Sequence, residues 1–181
     1  MKLVISQLKP GENPLELTST KDPILQSVAT ELTQDGLTPQ GPLQFTGSLH
    51  QHEPDYYLQG QLGWQVTQQC SRCAEEFVAS IQQQVQLALA HISSHKNPAE
   101  IASQLEEESE HLDVVYFQGN DLDLKPLLHE QFVLSLPFQA LCNEQCKGLC
   151  QHCGKNLNRQ ECVCANQPQL NPFSVLKTVT V

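Results

Sequence analysis

Eight cysteines are the residues of this chain best suited to chemistry, and they fall into four close pairs: Cys70/Cys73, Cys142/Cys146, Cys150/Cys153 and Cys162/Cys164. Two sulfurs a few residues apart turn toward one ion, and two such pairs complete a tetrahedron of thiolates. Eight thiolates divide evenly into two four-cysteine sites. Only eight residues separate Cys153 from Cys162, so closing Cys150, Cys153, Cys162 and Cys164 on one ion costs little chain entropy. The other set is then Cys70, Cys73, Cys142 and Cys146, which would staple a hairpin to the chain leaving a later helix. The gaps within Cys142/Cys146 and Cys162/Cys164 depart from Cys-x-x-Cys. The spacing therefore leaves open two zinc ions, one, or none with the thiols reduced or paired. A centre closed by four thiolates has no free coordination position and is structural, not hydrolytic.

Other chemistry finds little footing. A redox reading of Cys70/Cys73 wants the motif opening a helix in a βαβ context, whereas the pattern here is a hairpin. The histidines stand apart at 50, 52, 91, 95, 111, 129 and 152, and Val133 occupies the position a second ligand would need after His129-Glu130. His152 is a possible ligand but lies between two better ones. Asp121 and Asp123 read more economically as a helix start than as a metal site. There is no phosphate loop, dinucleotide fingerprint or nucleophile elbow. The expectation is a protein that is not an enzyme and takes no small-molecule substrate.

The elements that must position the sulfurs can be read from periodicity. Short extended segments fit Leu3–Leu8 and Leu15–Thr18, with turns at Pro10-Gly11 and Asn13-Pro14. Asp22-Pro23 opens a helix whose inner face is Leu25, Val28, Ala29 and Leu32, ending at Asp35-Gly36. From Pro42 to about Ile92 the period becomes two, and Leu43–Leu49, Tyr57–Val66 and Phe77–Leu89 predict a three-stranded antiparallel meander with one buried face. Cys70/Cys73 falls at its second turn. Residues 93–112 read as an acidic, mobile connection, partly helical from Asn97-Pro98, or as a lure for a basic partner. Val114–Phe117 is a strand. Asp123 caps a helix with an inner face of Leu124, Leu127, Leu128, Phe132 and Ser135, widened by Val133 and Leu136 and stopped before Pro137. The fold class expected is α+β: an antiparallel β-meander with a few packed helices and a C-terminal cysteine-rich zinc-binding segment. Residues 1–140 form the α+β domain, and 141–181 form the tail, tied to it through Cys70/Cys73.

Composition bounds the partners. The 181 residues carry 20 acids against 10 bases, a net charge of −10, which argues against holding nucleic acid through a broad basic surface. No apolar run is long enough for a membrane helix, and the first residues lack a signal-peptide pattern. A reducing, cytosolic setting is expected, in which clustered thiols stay free for metal. The 24 glutamines supply polarity without charge. Lys147, Lys155, Arg159 and Lys177 outnumber Glu144 and Glu161 in the tail, and the first three are candidate contacts for RNA or a partner.

Several motifs together resemble one family. Cys70-Ser-Arg-Cys73-Ala-Glu-Glu-Phe77 is similar to the "C-x-R-C-x-x-x-F" signature of the YceD family of large ribosomal RNA subunit accumulation proteins. Asp123-Leu124 through Leu127, Glu130 and Leu134-Ser-Leu-Pro137 resembles its "D-L-x-x-L-x-x-E-x-x-x-L-x-L-P" stretch. Cys146-Lys-Gly-Leu-Cys150-x-x-Cys153-Gly-x-Asn-Leu-Asn158, the following Cys-x-Cys, and Asn171-Pro172-Phe173-x-Val175-Leu176 resemble the cysteine-rich tail and closing segment of its longer members. The resemblance implies a non-enzymatic factor for the synthesis, processing or stability of 23S ribosomal RNA, in a bacterial cytoplasm or a plastid stroma. Joined to the acidic balance, it points to ribosome-assembly or ribosomal proteins as partners. The alternative is a zinc module that reads ribosomal RNA directly.

Overall fold

The computed structural model describes residues 2–4, 8–52, 55–91 and 113–166. In chain order they form strands β1 (Lys2–Val4) and β2 (Glu12–Thr18), helix α1 (Pro23–Gln34), strands β3 (Thr38–Pro39), β4 (Gln44–His52), β5 (Asp55–Gln69), β6 (Glu76–His91), β7 (Asp113–Phe117) and β8 (Asp121–Asp123), and helix α2 (Leu124–Leu134). A single 3-10 turn, Val163–Asn166, follows. The mixture of sheet and two helices is α+β, as expected. The chain divides into two compact units: Met1–Gln68 with Phe77–Phe138, and Gln69–Glu76 with the chain from Gln139 onward.

In the first unit the expected meander is the middle of a larger sheet. The strand order is β2-β4-β5-β6-β7, and β3 pairs with β5. The purely antiparallel reading needs correction, because β7 lies parallel to β6, with Leu87 opposite Asp113. Parallel neighbours require a long crossover, and residues 92–112 supply the length. The acidic connection read over 93–112 lies outside the described residues, while Asp113 and Asp121–Asp123 belong to strands. Asn13-Pro14 is also not a turn: both residues lie within β2, at the sheet edge, where a proline's missing N–H breaks no central ladder. Of the extended segment read at Leu3–Leu8, the described residues Leu3 and Val4 belong to β1, which pairs antiparallel with β8; residues 5–7 lie outside the described residues.

One face of the sheet packs with the helices. Leu43, Phe45 and Leu49 of the β4 region, Leu58, Leu62, Trp64 and Val66 of β5, and Ile81, Val85, Leu87 and Leu89 of β6 are buried with Ile24, Leu25, Val28 and Leu32 of α1 and Leu124, Leu127, Leu128 and Phe132 of α2. Gln83, on the same alternating series of β6, is exposed. Val133, read as part of the inner face of α2, is also exposed; it sits one step past Phe132, about 100° round the helix. Asp123 caps α2 by accepting from the Lys125 N–H at 3.2 Å. Asp22 precedes α1, but its carboxylate turns back to the Thr18 N–H at 2.7 Å and caps no helical N–H. The Lys125–Glu31 ion pair joins the two helices, and His129 Nε2 hydrogen-bonds Asp35 Oδ2 just past the end of α1 at 2.9 Å.

Gly47 and Gly60 face each other across β4 and β5. A Cβ on Gly60 would lie 2.6 Å from the Thr46 carbonyl oxygen and 2.8 Å from Cζ of Phe45, and a Cβ on Gly47 would overlap the Gln59 carbonyl. The two backbones and the Phe45 ring therefore fill the space that side chains would occupy. Gly60→Val is expected to destabilise the first unit by about 1–3 kcal/mol through overpacking, read as a lower denaturant midpoint at unchanged slope.

Candidate metal centres

The second unit begins where β5 ends. The turn Cys70–Glu75 joins β5 to β6, and its backbone closes as a knuckle: the Ala74 N–H donates to the Cys70 carbonyl at 2.9 Å, and the Cys70 N–H to the Glu75 carbonyl at 2.9 Å. The stretch after Leu149 repeats this pattern: the Gly154 N–H donates to the Cys150 carbonyl at 2.9 Å, and the Cys150 N–H to the Lys155 carbonyl at 2.8 Å. Both knuckles need a left-handed residue after the second cysteine. Gly154 provides it at φ 69°, and Ala74 adopts φ 56° at some steric cost.

Cys142 and Cys146 reach the first knuckle through Arg72. Its guanidinium donates to the Glu144 and Cys146 carbonyls at 3.0 and 3.1 Å, and its own carbonyl accepts the Leu149 N–H at 3.0 Å. Gly148, at φ 75°, lets the chain pass this close; a Cβ there would stand 3.0 Å from the Arg72 oxygen.

These contacts gather the sulfurs into two tetrads, Cys70, Cys73, Cys142 and Cys146, and Cys150, Cys153, Cys162 and Cys164. Within each, all four Sγ atoms lie within 4.8 Å of one another. The grouping is the one the loop lengths favour. Zinc–sulfur bonds of about 2.3 Å in a tetrahedron put sulfurs roughly 3.8 Å apart. Cys70–Cys146 at 3.8 Å and Cys73–Cys142 at 3.7 Å match that edge, and Cys153–Cys162 and Cys150–Cys162, both at 3.4 Å, are slightly tighter. The donor set fits a tetrahedral, thiophilic cation, and either tetrad could hold one metal ion. His152 is exposed and belongs to neither tetrad.

The electrostatics favour a cation. The Cys142 N–H, opposed by burial and then aided by the Cys73 and Arg72 N–H groups, brings Cys70 down to about 6. Cys142 goes up to about 12, through desolvation of its thiol and then the sulfurs of Cys70, Cys73 and Cys146. The second tetrad behaves likewise: the Cys153 and His152 N–H groups bring Cys150 down to about 6. Four sulfurs this close cannot all ionise alone, so an ion-free tetrad retains protons that a divalent cation would displace.

The two centres differ in enclosure. Cys70, Cys73 and Cys146 are at most 5% exposed, whereas none of the second tetrad is fully buried. Among the described residues of this unit, the only buried ones are those three cysteines and Gly148. No apolar core stands behind the sulfurs.

The candidate contact residues Lys147, Lys155 and Arg159 are all exposed. The Arg159 side chain is held by Glu75 at 2.8 Å. Sequence reasoning gave no role to Arg72, Gly148 or Asn158, although each stands inside a quoted motif.

The family model described as "Large ribosomal RNA subunit accumulation protein YceD" matches residues 58–179, well over half of the chain and all eight cysteines. The chain belongs to the YceD family. A curated YceD relative, "Large ribosomal RNA subunit accumulation protein YCED homolog 1, chloroplastic" from Arabidopsis thaliana, is 32% identical over 47 residues, 26% of this chain and 15% of the relative. No solved structure matches the chain. The YceD match takes in most of β5, all of β6 and α2, and both knuckles. Among the described residues no helix is long and apolar enough to cross a membrane.

Proposed function

We propose that this YceD-family chain is a non-enzymatic factor for the accumulation of 23S ribosomal RNA during large-subunit biogenesis, and that each tetrad holds one structural zinc ion. The observation that carries the reading is the closure of both sulfur sets: four thiolates fill a tetrahedron and leave no position for a substrate or an activated water. The family's description and that of the plant relative support the tie to large-subunit ribosomal RNA. The chain acts in a bacterial cytoplasm or a plastid stroma, the latter in line with the relative's chloroplastic name.

It works chiefly through a basic ribosomal or assembly protein. The net charge of −10 becomes more negative by about 2 for each zinc tetrathiolate. The open face of the sheet is dominated by neutral amides. Gln44, Gln59, Gln61, Gln65, Gln82, Gln84 and Gln86 are exposed there, with Glu12 and Glu16 on the edge strand and Tyr57, Tyr116 and His50 toward one end. Single-stranded RNA is held by stacked aromatics beside cationic side chains, and among the described residues this face carries no lysine or arginine. All three bases of the candidate trio are exposed, and Arg159 also pairs with Glu75.

The test is capture of the tagged chain's partners with and without ribonuclease. Protein partners are expected to survive RNA digestion, and Lys147→Glu with Lys155→Glu is expected to leave capture within about twofold, as for exposed charges. Loss of partners on digestion, together with tight binding of purified protein to ribosomal RNA fragments at physiological salt, would instead establish direct RNA recognition.

A further inference from the structure

Asn158 belongs by sequence to the second tetrad and by contact to the first. It lies in the segment Gly154–Glu161 that joins Cys150/Cys153 to Cys162/Cys164. Its Oδ1 accepts the Lys147 N–H at 2.8 Å, and its Nδ2 donates to the Cys146 sulfur at 3.2 Å. The backbone N–H fixes the orientation of the amide: it needs an acceptor, so the NH2 end must face the sulfur. Asn156 Oδ1 holds the side chain from behind, accepting from Asn158 Nδ2 at 2.8 Å and from its N–H at 2.9 Å. The same segment is laid along the first tetrad's chain, with the Leu157 N–H on the Gly148 carbonyl at 2.9 Å and Leu149 bridged to Asn156. The middle of the loop that closes the second centre is therefore built on the chain carrying the last sulfur of the first.

We propose that Asn158 is a positioning residue that couples the two cysteine centres, so that an ion in the first tightens ion binding in the second. This rests on the reading that both tetrads take zinc. An ion in the first tetrad would hold the Cys146 sulfur at one place, and with it the acceptor that Asn158 Nδ2 reaches at 3.2 Å. Loading the first centre thus fixes the loop at its midpoint. Cys162 and Cys164 then reach Cys150 and Cys153 with part of the closure entropy already met. Coupling of this kind is reciprocal: an ion in the second centre tightens the first by the same factor. An aspartate at 158 would keep the acceptor for Lys147 but set a carboxylate against the sulfur, which is why the amide suits the place.

A thermodynamic cycle on the full-length reduced chain tests this. Zinc affinity of the second centre is measured by chelator competition, with native mass spectrometry counting ions, in four proteins: wild type, Cys70→Ser/Cys73→Ser, Asn158→Ala, and the triple variant. The serine pair empties the first centre but leaves Cys146 in place. It is expected to weaken the second centre roughly 10- to 100-fold when Asn158 is present, and by no more than about twofold in the Asn158→Ala background. Asn158→Asp should lose the coupling as fully as Asn158→Ala. Equal weakening in both backgrounds, or none in either, overturns the proposal while leaving two zinc sites standing. Full coupling in Asn158→Asp overturns the role of the N–H···S bond. A wild-type chain that binds no zinc removes both the coupling and the metal reading beneath it.

Discussion

Stripping metal from the reduced protein with a strong chelator unfolds the cysteine unit and leaves the sheet unit folded; this is the largest effect expected. Structural zinc contributes roughly 10–16 kcal/mol in small peptides, as much as the whole net stability of a typical domain, about 5–15 kcal/mol. The cysteine unit has nothing to set against that loss, since its buried residues among those described are Cys70, Cys73, Cys146 and Gly148. The sheet unit keeps its own core. Trp64 is the single tryptophan of the chain and is 4% exposed in that core, so its fluorescence reports on the sheet unit alone. Chelation should leave the Trp64 emission and its thermal transition nearly unchanged. Amide exchange over Gln69–Glu76 and from Gln139 to Asn166 should rise to that of an open chain. Cys73→Ser, which removes one ligand from the more enclosed tetrad, should give the same pattern in the stretch 70–75 and 142–149. A simultaneous collapse of Trp64 emission would show that the sheet unit depends on the metal as well.

The second large effect sits on the other side of that division. Phe132→Ala is expected to lower the stability of the sheet unit by about 3–5 kcal/mol, the range for a large aromatic truncated in a core. Phe132 is fully buried, and its ring meets Trp64 edge-on, with centroids 5.6 Å apart and planes at 83°. The indole N–H donates to the Ser135 hydroxyl at 3.0 Å, and that hydroxyl donates to the Phe132 carbonyl at 2.7 Å. Truncation leaves a void beside the indole and loosens this chain of contacts. Denaturant unfolding followed by Trp64 should show the lower midpoint, with zinc content unchanged. A loss below about 1 kcal/mol would mean that the site collapses around the smaller side chain.

Much of the sheet unit was legible because its core is written in periods of two and of 3.6. Leu43, Phe45 and Leu49 alternate, and Leu124, Leu127, Leu128 and Phe132 fall on one helix face. What escaped was non-local or local in an unexpected sense. No periodicity tells that β7 runs parallel beside β6, since the pairing is set by where a long connection returns. Asn13-Pro14 carries a turn's composition yet sits in an edge strand, where the usual objection to proline lapses. Asp22 has the type and place of a helix cap, but Thr18 offered its carboxylate another N–H. The sulfur groupings were readable from loop length, because short loops close at low entropy. The hydrogen bonds that hold the sulfurs there were not. Arg72 binds carbonyls more than seventy residues on, at Glu144 and Cys146, and Asn158 binds a sulfur of the tetrad it does not belong to. Spacing marks ligands; it does not mark the residues that orient them. The pairing of Arg159 with Glu75 was equally invisible.

Native mass spectrometry of the chain, purified under reducing conditions without added metal, addresses the shared premise most directly. Two zinc ions per folded chain, released only as the cysteine unit loses its protection from amide exchange, is the predicted result. A chain at the mass of the bare polypeptide, with amides still protected from Cys142 through Cys164, would contradict it.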